Sequence, residues 1–292
     1  MPKIILVPLN GGAADADALS VARGLGQPYN AHIVALHVRP DVRRDIAGLA
    51  ATDGGMTAGI DSIIARMEAD ADAREKAATE GWNLFCAQNA IAIADTPRAS
   101  GLTSEWASEI GTEADWLAEY GRTADMIVVP RGNEDWGPDL ALMEAALMDT
   151  GKPVVIAPSS KATPGAAQPN GVVGIAWKDT KEAAGAVRAA MPFVETATHV
   201  TIFIVPEDEG EPDKSHLRLA KMLRWHNAHV TIQALREHSR PPVAVLLDAA
   251  TQANCGLLVM GGYGHTRLRE AVFGGFTRAV LEAAPLPVLL AH

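Results

Sequence analysis

The sequence predicts an α/β protein in which one open, mostly parallel sheet unit with flanking helices is built twice. Three observations carry this expectation. Short apolar runs alternate with helix-length segments along all 292 residues, the ending of the first half recurs at the end of the second, and a stretch without apolar periodicity at 159–170 separates the two. Because enough chain for a helix lies between consecutive apolar runs, right-handed parallel crossovers are the economical connection.

In the first half, 4–9 reads as an apolar strand, and the Asn10-Gly11-Gly12 turn leads into an alanine-rich helix over 14–25. A strand over 32–38 precedes a glycine-containing loop at 41–59, and strong helix formers fill 60–90. A strand over 102–109, a short helix over 112–120 and a strand over 125–129 follow. Pro138 suits the first turn of a helix running to about 148, where its missing N–H has no intrahelical partner. Gly151 ends that helix before a strand over 153–157.

The polar segment 159–170 places the domain boundary, giving units 1–158 and 171–292. The pattern then restarts, with strands over 172–177, 199–205, 229–235, 257–260 and 288–290 and helices over 181–190, 214–225, 243–253 and 267–283. The repeat is plainest where Asp125-Met-Ile-Val-Val-Pro130 stands against Gly256-Leu-Leu-Val-Met-Gly261, and Lys152-Pro-Val-Val-Ile-Ala157 against Leu286-Pro-Val-Leu-Leu-Ala291. The apolar strands at 154–156 and 288–290 predict that the two units pair inside one chain. They also suggest a homodimer of two chains through a terminal edge, since an open apolar edge invites association.

Composition narrows the function classes. With 48% hydrophobic residues and a formal charge of −10, the chain can bury a large core but offers no extended surface for nucleic acid or an anionic membrane. No apolar run is long enough to cross a bilayer, so a cytoplasmic protein is expected. Cys86 and Cys255 lie outside any CxxC or Cys/His ligand spacing and read as buried free thiols. Trp82, Trp106, Trp116 and Trp136 concentrate in the first half, where core packing or partner binding are both open.

The chemistry-bearing pattern is in the second half. Gly261, Gly264 and Gly274 stand at G-x2-G-x9-G spacing between a strand and a helix. Glycines let backbone N–H groups approach an anion closely, and a helix N-terminus adds positive potential. The same spacing also suits a compact strand-to-helix turn with a packing glycine, and both readings stand. His265, Arg267 and Arg269 follow closely, and Arg267 offers a fork suited to phosphate oxygens. There is no HExxH or G-x-S-x-G element and no recognisable carboxylate pair, so no catalytic residue and no metal ligand is assigned.

That glycine constellation, the Pro-Val after Ala284 and the two-unit rhythm resemble the universal stress protein family in its tandem form. The resemblance implies a five-stranded parallel sheet in each unit, of the adenine-nucleotide-alpha-hydrolase-like kind, a cytoplasmic role in stress survival, and pairing of units through terminal strands. In ATP-binding members the loop resembles G-x2-G-x9-G-(S/T), with an aspartate after the first strand. Here Gly275 stands at the hydroxyl position, and Lys178 stands where the aspartate is expected, with Asp179 shifted by one. A lysine donates hydrogen bonds but cannot accept them.

The binding set implied for the second unit is therefore Gly261, Gly264, Gly274, Arg267 and Lys178, with ATP and magnesium, or another phosphorylated small molecule, as the ligand. In the first unit Asn10 replaces the aspartate, and the segment from Pro130 to Gly137 lacks the glycine spacing and carries Glu134 and Asp135, which repel phosphate. The expected function is a nonenzymatic stress-response or protein-interaction module with weak or absent ATP binding. A signalling protein is its expected partner.

Overall fold

The structure is a computed structural model that describes residues 1–44, 46–47, 60–131, 140–158, 171–204, 214–235, 240–262 and 275–292. The first half contributes strands β1 (Ile4–Pro8), β2 (His32–Arg39), β3 (Ala92–Ile93), β4 (Thr103–Ile110), β5 (Met126–Val129) and β6 (Val154–Ile156). Its helices are α1 (Asp15–Gly26), α2 (Ile60–Gln88), α3 (Glu113–Gly121) and α4 (Leu140–Glu144), the last continued by a wider π turn over Ala145–Asp149. The second half contributes β7 (Val172–Trp177), β8 (His199–Ile204), β9 (Val230–Ala234), β10 (Cys255–Gly261) and β11 (Val288–Ala291). Its helices are α5 (Lys181–Thr196), α6 (Ser215–Leu223), α7 (Pro242–Gln252) and α8 (Gly275–Ala283).

All eleven strands among the described residues join one sheet in the order β3-β4-β2-β1-β5-β6-β11-β10-β7-β8-β9. Neighbouring strands run parallel within each half, whereas β6 and β11 meet antiparallel, with Val154 opposite Leu290, Val155 opposite Leu289 and Ile156 opposite Val288. Read outward from this seam, β6-β5-β1-β2-β4 matches β11-β10-β7-β8-β9 strand for strand, with β3 as an addition at one edge. The sheet is thus uninterrupted yet internally repeated. The terminal strand β11 has β6 on one side and β10 on the other, so it leaves no open edge for a second chain; among the described strands the outermost are β3 and β9.

Strand residues alternate between two apolar layers, as the period of two requires for a sheet covered on both faces. Ile5, Val7, Ile33, Val128, Val173 and Val259 pack with residues of α1, α2, α5 and α6. Leu6, Leu36, Ile127, Leu258, Met260 and Leu290 pack on the other face with residues of α3, α4, α7 and α8. Each fully buried Val, Leu or Ile contributes roughly 1.5–3 kcal/mol, which makes these two layers the main source of stability.

Two differences from the sequence expectation have physical causes. The helix expected to end at 190 continues through Pro192 to Thr196. An interior proline costs about 3 kcal/mol, but Phe193 and Val194 beyond it are both fully buried, and burying two such side chains offsets that cost. The added strand β3 is only two residues long and half-exposed, too short for an alternation pattern. The linker at 159–170 and the start of the helix expected from Arg267 lie outside the described residues.

Candidate functional site

In the second half, the candidate binding surface lies where β7 and β10 end beside the start of α5. Gly261 closes β10 against that helix: a Cβ there would stand 2.7 Å from the Ala183 backbone nitrogen and 3.0 Å from the Glu182 carbonyl carbon. Only glycine lets the first turn of α5 approach the strand this closely. The packing reading of Gly261 therefore has a specific structural basis.

The start of α5 is already capped from within. Thr180 is its N-cap, and the Thr180 hydroxyl accepts the Ala183 N–H at 3.2 Å, which satisfies one of the unpaired amides of a helix start. Glu182, in the first turn, is buried. Burial pushes its carboxyl up, but hydrogen bonds from its own backbone N–H and the Thr180 hydroxyl, together with Lys181 and His292, hold it below the usual glutamate value. A carboxylate thus occupies the electropositive helix end that a phosphate would seek. The Lys178 carbonyl accepts the Thr180 N–H at 2.8 Å, and Asp179 makes a surface ion pair with Arg218 at 3.3 Å.

Of the five residues in the sequence-derived set, Gly261 and Lys178 are placed by the structure at the ends of β10 and β7, which are adjacent strands. Gly264, Arg267 and Gly274 lie outside the described residues. Gly275 opens α8, and none of the described residues lies within 4 Å of where its Cβ would be. Among the described residues no group of His, Cys, Asp or Glu could hold a metal ion.

The corresponding turn in the first half is filled by the protein itself. The Asp15 carboxylate accepts the Asn10 N–H at 3.2 Å and the Gly11 N–H at 2.8 Å, and the Asn10 side-chain oxygen accepts the Gly12 N–H at 2.9 Å. Burial raises the Asp15 carboxyl above its ordinary value, with the two backbone amides opposing. Gly11 has φ +81°, and a Cβ there would fall 2.5 Å from the Arg74 carbonyl oxygen, so α2 lies directly on this turn. An internal carboxylate in a pair of amides leaves them no capacity for an external anion.

Three residues of consequence escaped the sequence reading. Asp15 was legible only as a first-turn acid. Arg131, just past β5, donates to the Leu281 carbonyl at 2.6 Å and the Ala284 carbonyl at 3.1 Å, which ties the first half to the end of α8. His37 is 3% exposed within β2 and stacks on Trp106 at 5.9 Å. Its signal was the repeat itself, because the register places Ile204 at the matching position of β8.

The tryptophans support the first-half core. Trp82 donates to the Ser104 hydroxyl at 2.8 Å and packs against Trp106, and Trp116 donates to the Ile110 carbonyl at 3.0 Å; Trp136 lies outside the described residues. Cys86 and Cys255 are free and buried, and burial pushes the Cys255 thiol up to about 12. No helix among the described residues is long and apolar enough to cross a membrane.

Residues 177–292 match the model of the universal stress protein family. No curated protein matches the chain. Among solved structures, a universal stress protein from Archaeoglobus fulgidus DSM 4304 is similar at a TM-score of 0.66 and 17% identity, with 99% of this chain and 97% of that one covered. A putative universal stress protein from Pseudomonas aeruginosa UCBPP-PA14 is similar at 0.53 and 13% identity, with 99% and 93% covered. At these identities the likeness speaks for the fold, and it extends over both halves.

Proposed function

We infer, from the match of residues 177–292 to the universal stress protein family, that this chain is a nonenzymatic stress-response protein. It acts as an interaction module, and its second half binds ATP weakly or not at all. The observation that carries the reading is the turn from β7 into α5 beside Gly261, where the Glu182 carboxylate, held by Thr180, puts a negative charge next to the glycine loop that would take the phosphates. Lys178 at the end of β7 and the absent hydroxyl at Gly275 point the same way. The reading places the protein in the cytoplasm, with a signalling protein or a second copy as partner.

The decisive measurement is a titration of nucleotide-free protein with ATP, ADP and AMP, with and without magnesium. The expected result is no saturation at millimolar nucleotide and no turnover. Tight saturable binding that Gly264→Asp abolishes with the fold retained would replace this reading with that of a phosphorylated-ligand receptor using Gly261, Gly264, Gly274, Arg267 and Lys178. Repeatable nucleotide hydrolysis lost in the same variant would overturn the nonenzymatic assignment. Light scattering across concentrations distinguishes a monomer from a homodimer.

A further inference from the structure

The two halves finish their outer edges differently. In the first half β4 carries Glu105 and Glu109, and β3 covers its start by pairing with Thr103 and Ser104. Charged side chains and a covering strand are the usual protections of a sheet edge. The matching strand β9, Val230 to Ala234, has neither: it holds no charged residue and pairs only with β8 among the described strands.

The register fixes which backbone groups face outward. Val200 N–H bonds to the His229 carbonyl at 2.8 Å and Leu235 N–H to the Ile204 carbonyl at 2.9 Å. Alternate residues of a parallel strand bond the same neighbour, so His229, Thr231, Gln233 and Leu235 serve β8, and Val230, Ile232 and Ala234 turn their N–H and C=O groups to the open side. One of these groups is already held, because the Arg224 guanidinium at the end of α6 donates to the Val230 carbonyl at 3.3 Å.

That bond identifies the side of α6 that overhangs the edge. Leu217 and Lys221 share it with Arg224, at i, i+4 and i+7 spacing, and Leu217 is half-exposed. Arg218 lies on the other side and reaches Asp179 past the end of β7. In a chain of formal charge −10, residues 214–235 include no aspartate or glutamate, and Lys221 and Arg224 make no ion pair among the described residues. The acidic run 207–213 precedes α6, whereas Lys221 stands about 9 Å of helix beyond Ser215, more than the Debye length of about 8 Å at physiological salt.

The edge therefore offers a neutral backbone ladder beneath two cations and an apolar side chain. Same-face side chains of a strand repeat every ~6.7 Å, close to the ~6 Å between i and i+4 on a helix, so one added strand can meet Arg224, Lys221 and Leu217 in turn. A second copy paired through its own β9 would bring two such basic flanks together, and like charges would oppose it.

We propose that the outer edge of β9 is a docking site for an extended acidic segment of a partner protein, which adds as a further strand with alternate carboxylates against Arg224 and Lys221 and an apolar side chain against Leu217. Main-chain bonds supply the affinity and the alternate side chains the selectivity. The proposal rests on the reading of the chain as an interaction module and gives the chemistry of its partner.

The test titrates the full chain with the capped peptide Glu-Thr-Glu-Thr-Val-Thr and its reverse, which cover parallel and antiparallel addition, and follows the amide resonances of Val230, Ile232 and Ala234. One of the two should saturate and shift all three, at least about tenfold more tightly than the same peptide with lysine for glutamate. Lys221→Glu should weaken it at least about tenfold. The acidic peptide with methylated backbone amides, which keeps the charges and loses the strand edge, should bind at least about tenfold more weakly. No saturation up to about 2 mM, equal binding of the lysine or methylated peptide, or full binding by a correctly folded Lys221→Glu would overturn the proposal. So would a dimer in light scattering whose dilution moves the same three amides, since a second copy would then hold the edge. The nucleotide titration is a separate measurement, so a failure of peptide binding and a failure of the weak-nucleotide reading are told apart.

Discussion

Arg131 and Gly262 occupy the same place in the two halves. Ile127 pairs with Val154 as Leu258 pairs with Val288, so residue 131 matches 262 and residue 147 matches 281 across the seam. Arg131 reaches the Leu281 carbonyl at 2.6 Å. In the matching contact, the Leu147 side chain comes within 2.9 Å of where a Cβ of Gly262 would be. One long polar side chain and one missing side chain thus solve the same packing problem.

Replacing Arg131 with alanine removes both bonds to the end of α8 and leaves two partly buried carbonyls unpaired. Hydrogen bonds from a charged donor contribute about 1.5–3 kcal/mol, and the partial burial of Arg131 favours the middle of that range, about 2 kcal/mol. A fall of about 4–8 °C in Tm is expected for a chain of this size. Arg131→Lys keeps the charge but not the fork and should fall between. Calorimetry of the three proteins checks the order.

On the other face, the Tyr29 hydroxyl donates to the Pro192 carbonyl at 2.8 Å, and its ring meets Phe193 edge-on at 6.0 Å. Tyr29→Phe keeps the ring contact and loses the bond. It should cost about 1 kcal/mol in urea unfolding, much less than Tyr29→Ala.

Gly261 and Gly275 should respond oppositely to added side chains. Gly261→Ala drives a Cβ into the α5 backbone and should cost about 1–3 kcal/mol. Gly275→Ser meets none of the described residues and should be neutral or stabilising by up to about 1 kcal/mol. Because Gly275→Ser also supplies the missing hydroxyl, any residual nucleotide binding should strengthen in it. Parallel thermal melts and ATP titrations of both variants test this.

Tyr120 provides an alkaline signature. Its hydroxyl donates to the Glu109 carboxylate at 2.7 Å, and this bond, with burial second, pushes the phenol up to about 12. An unfolded tyrosine ionises near 10. The contribution is therefore complete below about pH 10 and is lost as pH rises towards 12, because the unfolded chain gives up its proton first. Burial also raises Tyr29, which adds to the same loss. The stability difference between wild type and Tyr120→Phe, measured by urea unfolding from pH 8 to 12, should shrink across this window.

The strands were legible because their apolar runs are local: 172–177 is read and found with identical bounds, and the matching endings at 154–156 and 288–290 are the two strands that meet at the seam. What sequence could not supply was long-range. Asp15 becomes the occupant of a turn only once Asn10 and Gly11 fold over it, and Arg131 acquires a role only across the seam, 150 residues away. Nothing local separates Gly261 as packing residue from Gly261 as cradle until α5 is seen against it. Trp225, at 85% exposure the most exposed large hydrophobic side chain among the described residues, sits in the second half, away from the tryptophan-rich segment.

The antiparallel seam has a thermodynamic consequence. Because β6 and β11 run in opposite directions while each half is parallel within itself, the strand ends near Asn10 and those near Gly261 open on opposite rims of one sheet. The Asp15 carboxylate that fills the turn on the first rim and a ligand on the second cannot touch. Such a ligand would therefore add the same RT ln(1 + [L]/Kd) to the folding free energy whether or not Asp15 is replaced, and the two effects would sum. Any departure from that sum would measure how much strain the seam itself transmits between the halves.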